Sequence, residues 1–207
     1  MNRIRKAKKL IKLIEQGDKN KARQLVGEFC RKGIIDEGER AAYFKDIAAY
    51  NSGNVDENIV LRSKFFSCYK GKKIIRLYSD FLTSAGVSKK TILLNYKVKP
   101  GDYGRATVRH EYGHTVQAER LCPPVFYCSI FLHSPLYLLL TMISRKNGWL
   151  SRNYYNMPWE RSADRLGGID PKTERARAGR YAEWSDRISE RYMKFHEFIS
   201  HLLTLKF

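Results

Sequence analysis

The sequence predicts a mostly helical α+β fold with a small β-sheet. Three observations support this prediction: apolar residues recur at helical spacing over residues 3–50, two short runs of β-forming residues follow, and a long amphipathic segment ends the chain. Spacings of three and four place apolar side chains on one face of a helix. With 43% hydrophobic and 13% aromatic residues, the chain of 207 residues has a globular rather than a disordered composition.

The first 50 residues predict three short amphipathic helices, the first ending at Gly17 and the second near Gly33. Glycine after an apolar stripe is typical of a helix C-terminus. We interpret residues 1–55 as an N-terminal helical cap and residues 56–207 as the main domain. A single domain overall is the alternative.

The middle of the chain changes pattern. Residues 74–78 and 91–96 are rich in β-forming residues and are predicted to be strands. A helix is then expected from about residue 103 to residue 119, because Pro123 and Pro124 follow it and cannot continue it.

Two further helices are predicted near the C-terminus. A short one spans about residues 158–166, with Gly167 and Gly168 as its C-terminal cap. A long amphipathic one spans about residues 172–205, and its apolar stripe includes Ile188, Tyr192, Phe195, Ile199 and Leu202.

The apolar segment 124–143 is long enough to span a bilayer, but His133, Ser134 and Pro135 divide it into two shorter runs. We therefore predict a buried helical hairpin, with membrane association through this segment as the alternative. The N-terminus has no continuous apolar core of the kind found in secretory signals, so a cytoplasmic protein is expected. The four cysteines are scattered without a CxxC pair, which argues against a cysteine zinc site or a disulfide framework.

The chain carries 39 Lys and Arg against 21 Asp and Glu, a net charge of +18. Such a charge favours solubility and also attracts anionic partners, either nucleic acid or an acidic membrane surface. No zinc-finger, P-loop or aromatic RNA-reading motif accompanies the charge, so it does not by itself define a nucleic-acid-binding module.

The chemically informative segment is His110-Glu111-Tyr112-Gly113-His114, an HExxH motif. On a helix, residues four apart share a face, so two imidazoles can converge on one metal ion. Glu111 follows the first histidine and can reach a water molecule at that metal, which makes it a candidate general base. Two solvated surface histidines are the alternative, although the chain contains only five histidines.

A second acidic pair, Glu160 and Asp164, lies at i and i+4 on the predicted short helix. A catalytic zinc site needs three protein ligands and one open position, and Glu160 can supply the third ligand. Asp164 can accept the free N–H of a ligand histidine and so fix its tautomer. An exposed acidic pair between arginines is the alternative for these two residues.

The HExxH motif with the later Glu160-x-x-x-Asp164 resembles the gluzincin pattern of zinc metallopeptidases. The longer run from Arg109 to Gln117, followed by Pro158-Trp159-Glu160 and Ala163-Asp164, is similar to small bacterial metallopeptidase-like domains. The resemblance covers about residues 89–170. It implies a zincin-like fold with Zn²⁺ held by His110, His114 and Glu160, and with Glu111 as general base.

The resemblance also implies a residue that stabilises the transition state, usually a histidine or a tyrosine. Tyr154, Tyr155 and His133 are candidates by residue type. We therefore expect a zinc-dependent metallopeptidase that acts on a peptide or protein substrate. The alternative is a basic zinc-containing protein that binds nucleic acid or an anionic membrane surface without peptidase activity.

Overall fold

A computed structural model describes residues 3–50, 56–79, 85–128, 156–170 and 183–204. Within these ranges the chain forms helices and strands in the order α1 (Arg3–Glu15), α2 (Lys19–Arg31), α3 (Glu37–Ala49), α4 (Glu57–Arg62), β1 (Phe66–Tyr69), β2 (Lys72–Leu77), β3 (Ala85–Ser88), β4 (Thr91–Asn95), α5 (Asp102–Arg120), α6 (Pro123–Phe126), α7 (Pro158–Gly167) and α8 (Glu183–Thr204). The prediction of a mostly helical α+β fold with a small sheet is confirmed.

The chain divides into two compact units, one of residues 1–85 with 90–108 and one of residues 86–89 with 109–207. The division falls inside α5, after Val108. The predicted boundary near residue 55, between a helical cap and a main domain, stays a prediction.

The core of the first unit lies between helices α1 to α4 and the sheet. Helix α1 contributes Leu10, Ile11 and Ile14, which recur at the spacing of one helical face and are buried. On α3, the ring of Tyr43 is fully buried and stacks on Phe65, with the two ring centroids 3.8 Å apart. The strands supply further buried side chains, namely Phe66, Ile74, Ile75, Ile92 and Leu94.

Strands β1 and β2 form an antiparallel hairpin, and β4 pairs in parallel with the other edge of β2. The hairpin turn consists of Lys70 and Gly71, with φ angles of 46° and 75°. Positive φ at both positions is typical of a type I′ turn, whose twist matches that of paired strands. The sequence predicted β2 and β4, but not β1 and β3, which are only four residues long each.

The carboxylate of Asp46, on α3, connects that helix to the start of β1. It accepts hydrogen bonds from the backbone N–H groups of Phe65 at 2.7 Å, Phe66 at 3.2 Å and Lys64 at 3.3 Å. Burial raises the pKa of Asp46 to about 6, although these donors and the nearby Arg76 act in the opposite direction.

In the second unit, α8 packs against α7 and α6. A small apolar cluster lies there, comprising Ala118, Leu121, Val125, Phe126 and Met193. The backbone N–H of Cys122 precedes α6 and donates to the hydroxyl of Ser200 on α8, at 2.6 Å. This bond satisfies one of the donors that a helix N-terminus leaves open.

The packed face of α8 coincides only in part with the predicted stripe, of which Tyr192 and Ile199 pack against the cluster. Its buried residues include Ser185, Ser189 and Ser200, whose small side chains allow close packing. In contrast, Ile188 and Phe195, from the predicted apolar stripe, are 45% and 59% exposed. The helix is amphipathic as predicted, but Ile188, Phe195 and Leu202 of the stripe lie beside the packed face.

Most of the apolar segment 124–143, including the predicted hairpin around His133, lies outside the described residues. Its described beginning contributes buried Val125 and Phe126 on the short helix α6. Within the described ranges, no helix combines the length and the apolar character needed to cross a bilayer.

Candidate metal centre

Helix α5 carries the HExxH motif in its buried central turns. His110 and Glu111 are 5% and 6% exposed, and His114 is 9% exposed. The two histidines are separated by one helical turn, so both rings project from the same face. Their ring centroids are 4.7 Å apart, with the ring planes nearly perpendicular.

Helix α7 approaches α5 closely because glycines lie at the points of contact. A Cβ atom at Gly113 would collide with the backbone carbonyl of Ala163, and one at Gly167 would collide with that of Arg109. The sequence predicted Gly167 as part of the C-terminal cap, and this is wrong, because it is the last residue within α7. Gly168 alone is the cap, with a left-handed φ of 74°.

This approach brings Glu160 from α7 onto the two histidines of α5. Glu160 Oε2 lies 2.9 Å from His110 Nε2 and 3.6 Å from His114 Nε2, and the two Nε2 atoms are 3.2 Å apart. The three side chains could hold a metal ion, since one ligand atom from each lies within 4.8 Å of the others. Glu160 is 1% exposed, so the group is buried.

The outer nitrogen of each imidazole has a fixed acceptor. His110 Nδ1 lies 2.8 Å from Asp164 Oδ1, and His114 Nδ1 lies 2.7 Å from Gln117 Oε1. The orientation of the Gln117 amide follows from its other contact, because its nitrogen donates to the backbone carbonyl of Trp159 at 2.7 Å. Both Nδ1 atoms therefore carry a proton, and in the neutral imidazoles both Nε2 atoms face the centre with lone pairs.

Two nitrogen lone pairs and a carboxylate oxygen thus converge in a buried place. Such groups repel one another unless a cation lies between them. Burial alone raises the pKa of Glu160, but attraction to His114 and His110 and hydrogen bonds with both outweigh it and hold the pKa well below its usual range. These attractions require a proton on each Nε2, in the position that a metal ion would otherwise take. The ionised carboxylate therefore calls for positive charge at the centre, and nitrogen and oxygen donors of this kind suit a divalent metal ion.

A further layer of polar contacts supports Asp164. The buried guanidinium of Arg161 lies 3.6 Å from Asp164 Oδ2. The same guanidinium donates from Nε and Nη2 to Asp186 Oδ1 on α8, at 3.1 Å and 2.6 Å. The chain of contacts from His110 through Asp164 and Arg161 ends at Asp186, so α8 takes part in orienting the centre.

Glu111 is buried on α5 but does not belong to the converging group of His110, His114 and Glu160. Its predicted role as a base therefore does not compete with ligation. The candidates for a transition-state donor, Tyr154, Tyr155 and His133, lie outside the described residues and stay predictions.

The roles of Gln117 and Arg161 were not predicted from the sequence. The signal for Gln117 was present, because a residue three positions after His114 lies on the same helical face. Arg161 was noted only as a neighbour of an acidic pair, and its burial depends on α8, which is distant in sequence.

No family model, no curated protein and no solved structure matches this chain. The resemblance to gluzincins accordingly rests on the HExxH motif and on Glu160 and Asp164.

Proposed function

We propose that the protein is a zinc-dependent metallopeptidase of the gluzincin type, in which His110, His114 and Glu160 hold the zinc ion. The observation that carries the proposal is the buried convergence of two Nε2 atoms and one carboxylate oxygen. Three protein ligands of this kind leave a coordination position open for chemistry. The substrate class that we propose is a peptide or protein.

The choice of zinc follows from the donors. Imidazole nitrogen and carboxylate oxygen are common zinc ligands, and a glutamate beside the first histidine suits hydrolysis. When bound, zinc supplies Lewis acidity, which polarises a carbonyl group and lowers the pKa of water.

The other catalytic tasks, which are proton transfer and orientation of the ligands, would fall to side chains of this chain. Glu111 would accept a proton from the attacking water molecule and pass it to the leaving amine. Asp164 and Gln117 would hold the two imidazoles in the tautomer and orientation that ligation requires. Stabilising the developing oxyanion would need a further donor. Tyr154, Tyr155 and His133 stay candidates for this role.

The metal is tested by elemental analysis of the purified protein and of single variants. His110→Ala and His114→Ala should each abolish stoichiometric zinc, because two ligands hold the ion much less tightly than three. His196→Ala and His201→Ala, on α8, are matched controls and should retain it. Zinc at full stoichiometry in both active-site variants, or iron in its place, would contradict the proposal.

The peptidase activity is tested with a diverse peptide library and the Glu111→Gln variant. This variant keeps the size of the side chain and removes the base, so hydrolysis should fall by about 10²- to 10⁴-fold. Zinc content should stay unchanged. Glu119→Gln, on the exposed part of the same helix, is the matched control and should cleave as well as the wild type.

A wild-type protein that binds zinc and cleaves no peptide would contradict the peptidase proposal. The basic zinc-containing binding protein would then be the better description. Equal cleavage by the wild type and Glu111→Gln would leave hydrolysis intact and refute only the role of Glu111.

A further inference from the structure

The exposed side of α8 carries an unusual concentration of large apolar side chains. Ile188, Phe195, Phe198, Leu202 and Leu203 are between 43% and 63% exposed. Single exposed apolar residues are common on protein surfaces, but a contiguous group indicates an interaction site.

Helical geometry places four of these residues together. At 100° per residue, Ile188, Phe195 and Leu202 lie within about 40° of one another around the helix, and Phe198 lies next to them. We call this group, with Arg187 and Arg191, the outer face of α8. It is separate from the face formed by Ser185 and Ser189, which is buried in the second unit.

The charges on α8 are divided between its sides. Arg191 lies within the apolar stripe, and Arg187 lies at its edge; both are exposed and form no ion pair with another described residue. Three acidic residues of α8 lie outside the apolar stripe and are paired with basic side chains. Asp186 pairs with Arg161, Glu190 with Lys194 and Glu197 with Arg120.

An apolar stripe with unpaired arginines on a helix is typical of a segment that lies in a membrane interface. A second copy of the chain is a poorer occupant, because such a contact would bury Arg191, which lies within the stripe, without a carboxylate on the same face. The net charge of +18 adds repulsion between two copies and favours an anionic surface.

We propose that the outer face of α8 docks on an anionic membrane surface. Ile188, Phe195, Phe198 and Leu202 enter the boundary between headgroups and acyl chains. The guanidinium groups of Arg187 and Arg191 reach back to the lipid phosphates and carboxylates. This proposal does not depend on the metal or on peptidase activity.

The test is co-sedimentation of the full chain with vesicles of phosphatidylcholine alone and of phosphatidylcholine mixed with phosphatidylserine. The wild type should partition onto the mixed vesicles only. The double variant Phe195→Ser/Phe198→Ser should reduce the partition coefficient by about tenfold or more, since two large apolar side chains no longer leave water. Ile59→Ser/Tyr103→Ser replaces two exposed apolar residues elsewhere and should leave it unchanged.

The electrostatic part is tested with Arg187→Gln/Arg191→Gln at low salt, where binding should fall by about tenfold or more. Lys8→Gln/Lys9→Gln removes the same charge from exposed positions on α1 and should have little effect. All variants are compared by circular dichroism, because the substituted side chains are exposed and the fold should be retained.

Several outcomes would overturn the proposal. Equal loss of binding in the two charge variants would show that net charge alone attracts the vesicles. Equal binding to neutral vesicles would exclude recognition of anionic lipid. A dimer that Phe195→Ser/Phe198→Ser dissociates, without vesicle binding by the wild type, would assign the face to self-association.

Discussion

Asp46 in the first unit and Glu160 in the second are both buried carboxylates, but their partners differ. Asp46 accepts hydrogen bonds from three backbone N–H groups, which join α3 to β1. Glu160 faces two imidazole nitrogens whose own protons are directed elsewhere. Asp46 therefore meets donors that the fold always provides, whereas Glu160 is placed among other acceptors. A buried acid of the second kind indicates a place for a cation.

The pKa values of the two acids move in opposite directions. Burial raises the pKa of Asp46 to about 6, whereas the two histidines, when each also carries a proton on Nε2, hold the pKa of Glu160 well below its usual range in spite of burial. Burial alone therefore does not decide the charge of an acid, because the charge on its partners can outweigh desolvation.

The largest effect that separates the two regions is expected on metal removal. If Glu160 belongs to a metal site, chelation should destabilise the wild type, because a bound ligand stabilises the native state by mass action. With free zinc at about 1,000 times its dissociation constant, the loss is about 4 kcal/mol in the free energy of unfolding. Denaturant titration with and without chelator measures it.

Glu160→Gln should lose this sensitivity to chelation, whereas Asp46→Asn should keep it. An unchanged response to chelator in Glu160→Gln would break the distinction between the two acids.

A smaller effect is expected from pH acting on Asp46. The folded-state pKa of about 6 exceeds the usual value of 3.8, so the native state binds the proton more tightly than the unfolded state. The stabilising contribution of the protonated form is complete below pH 3.8 and is lost as the pH rises through 6. The difference between 3.8 and about 6 corresponds to about 3 kcal/mol in the free energy of unfolding.

The measurement is the free energy of unfolding of the wild type minus that of Asp46→Asn, between pH 4 and pH 7. Other titrating groups cancel in this difference, which should fall as the pH rises. A difference that rises over the same range would show that the three backbone donors, rather than burial, dominate the pKa of Asp46.

The residues that orient the imidazoles should have intermediate effects. Asp164→Ala and Gln117→Ala should each weaken metal binding by about 10- to 100-fold, because the ring left without its acceptor can rotate or change tautomer. Calorimetric titration of zinc into the metal-free variants measures this loss. Ser189→Ala, on α8, is the control. Full affinity in Gln117→Ala would show that only one of the two histidines needs an oriented partner.

The smallest effects are expected at two glycines within helices, one in each unit. Gly27 on α2 has open space where a Cβ would lie, so Gly27→Ala should stabilise the protein by about 0.5–1 kcal/mol through better helix propensity. Gly113→Ala has the same propensity gain but would collide with the carbonyl of Ala163, and should destabilise by about 1–3 kcal/mol. Thermal denaturation compares the two. A change in stability of the same sign in both variants would contradict the close contact of α5 and α7.

The sequence was informative where local spacing determines structure. The stripe on α1, the apolar runs of β2 and β4, and the i, i+4 histidines are all short-range patterns, and the structure has them where they were predicted. The placement of Glu160 needed more than spacing, and it was predicted only through the resemblance and the acidic pair with Asp164.

The features that were missed depend on contacts between distant segments. The acceptor role of Gln117 depends on the carbonyl of Trp159, and the burial of Arg161 depends on Asp186. The apolar pattern of α8 does not reveal which side packs, because small serines share the packed face with Met193, Tyr192 and Ile199. Binary patterning assumes that the most apolar face is the buried one, and α8 departs from that assumption.

The glycine contacts between α5 and α7 have a consequence for how this protein can vary. The donors of the centre come from two helices that touch through their main chains at Gly113 and Ala163, so their separation does not depend on the segment that joins them. The entropic cost of closing a loop grows only with the logarithm of its length, by about 0.6 kcal/mol for each doubling of that length. Insertions between the two helices should therefore be tolerated far better than a single methyl group at position 113.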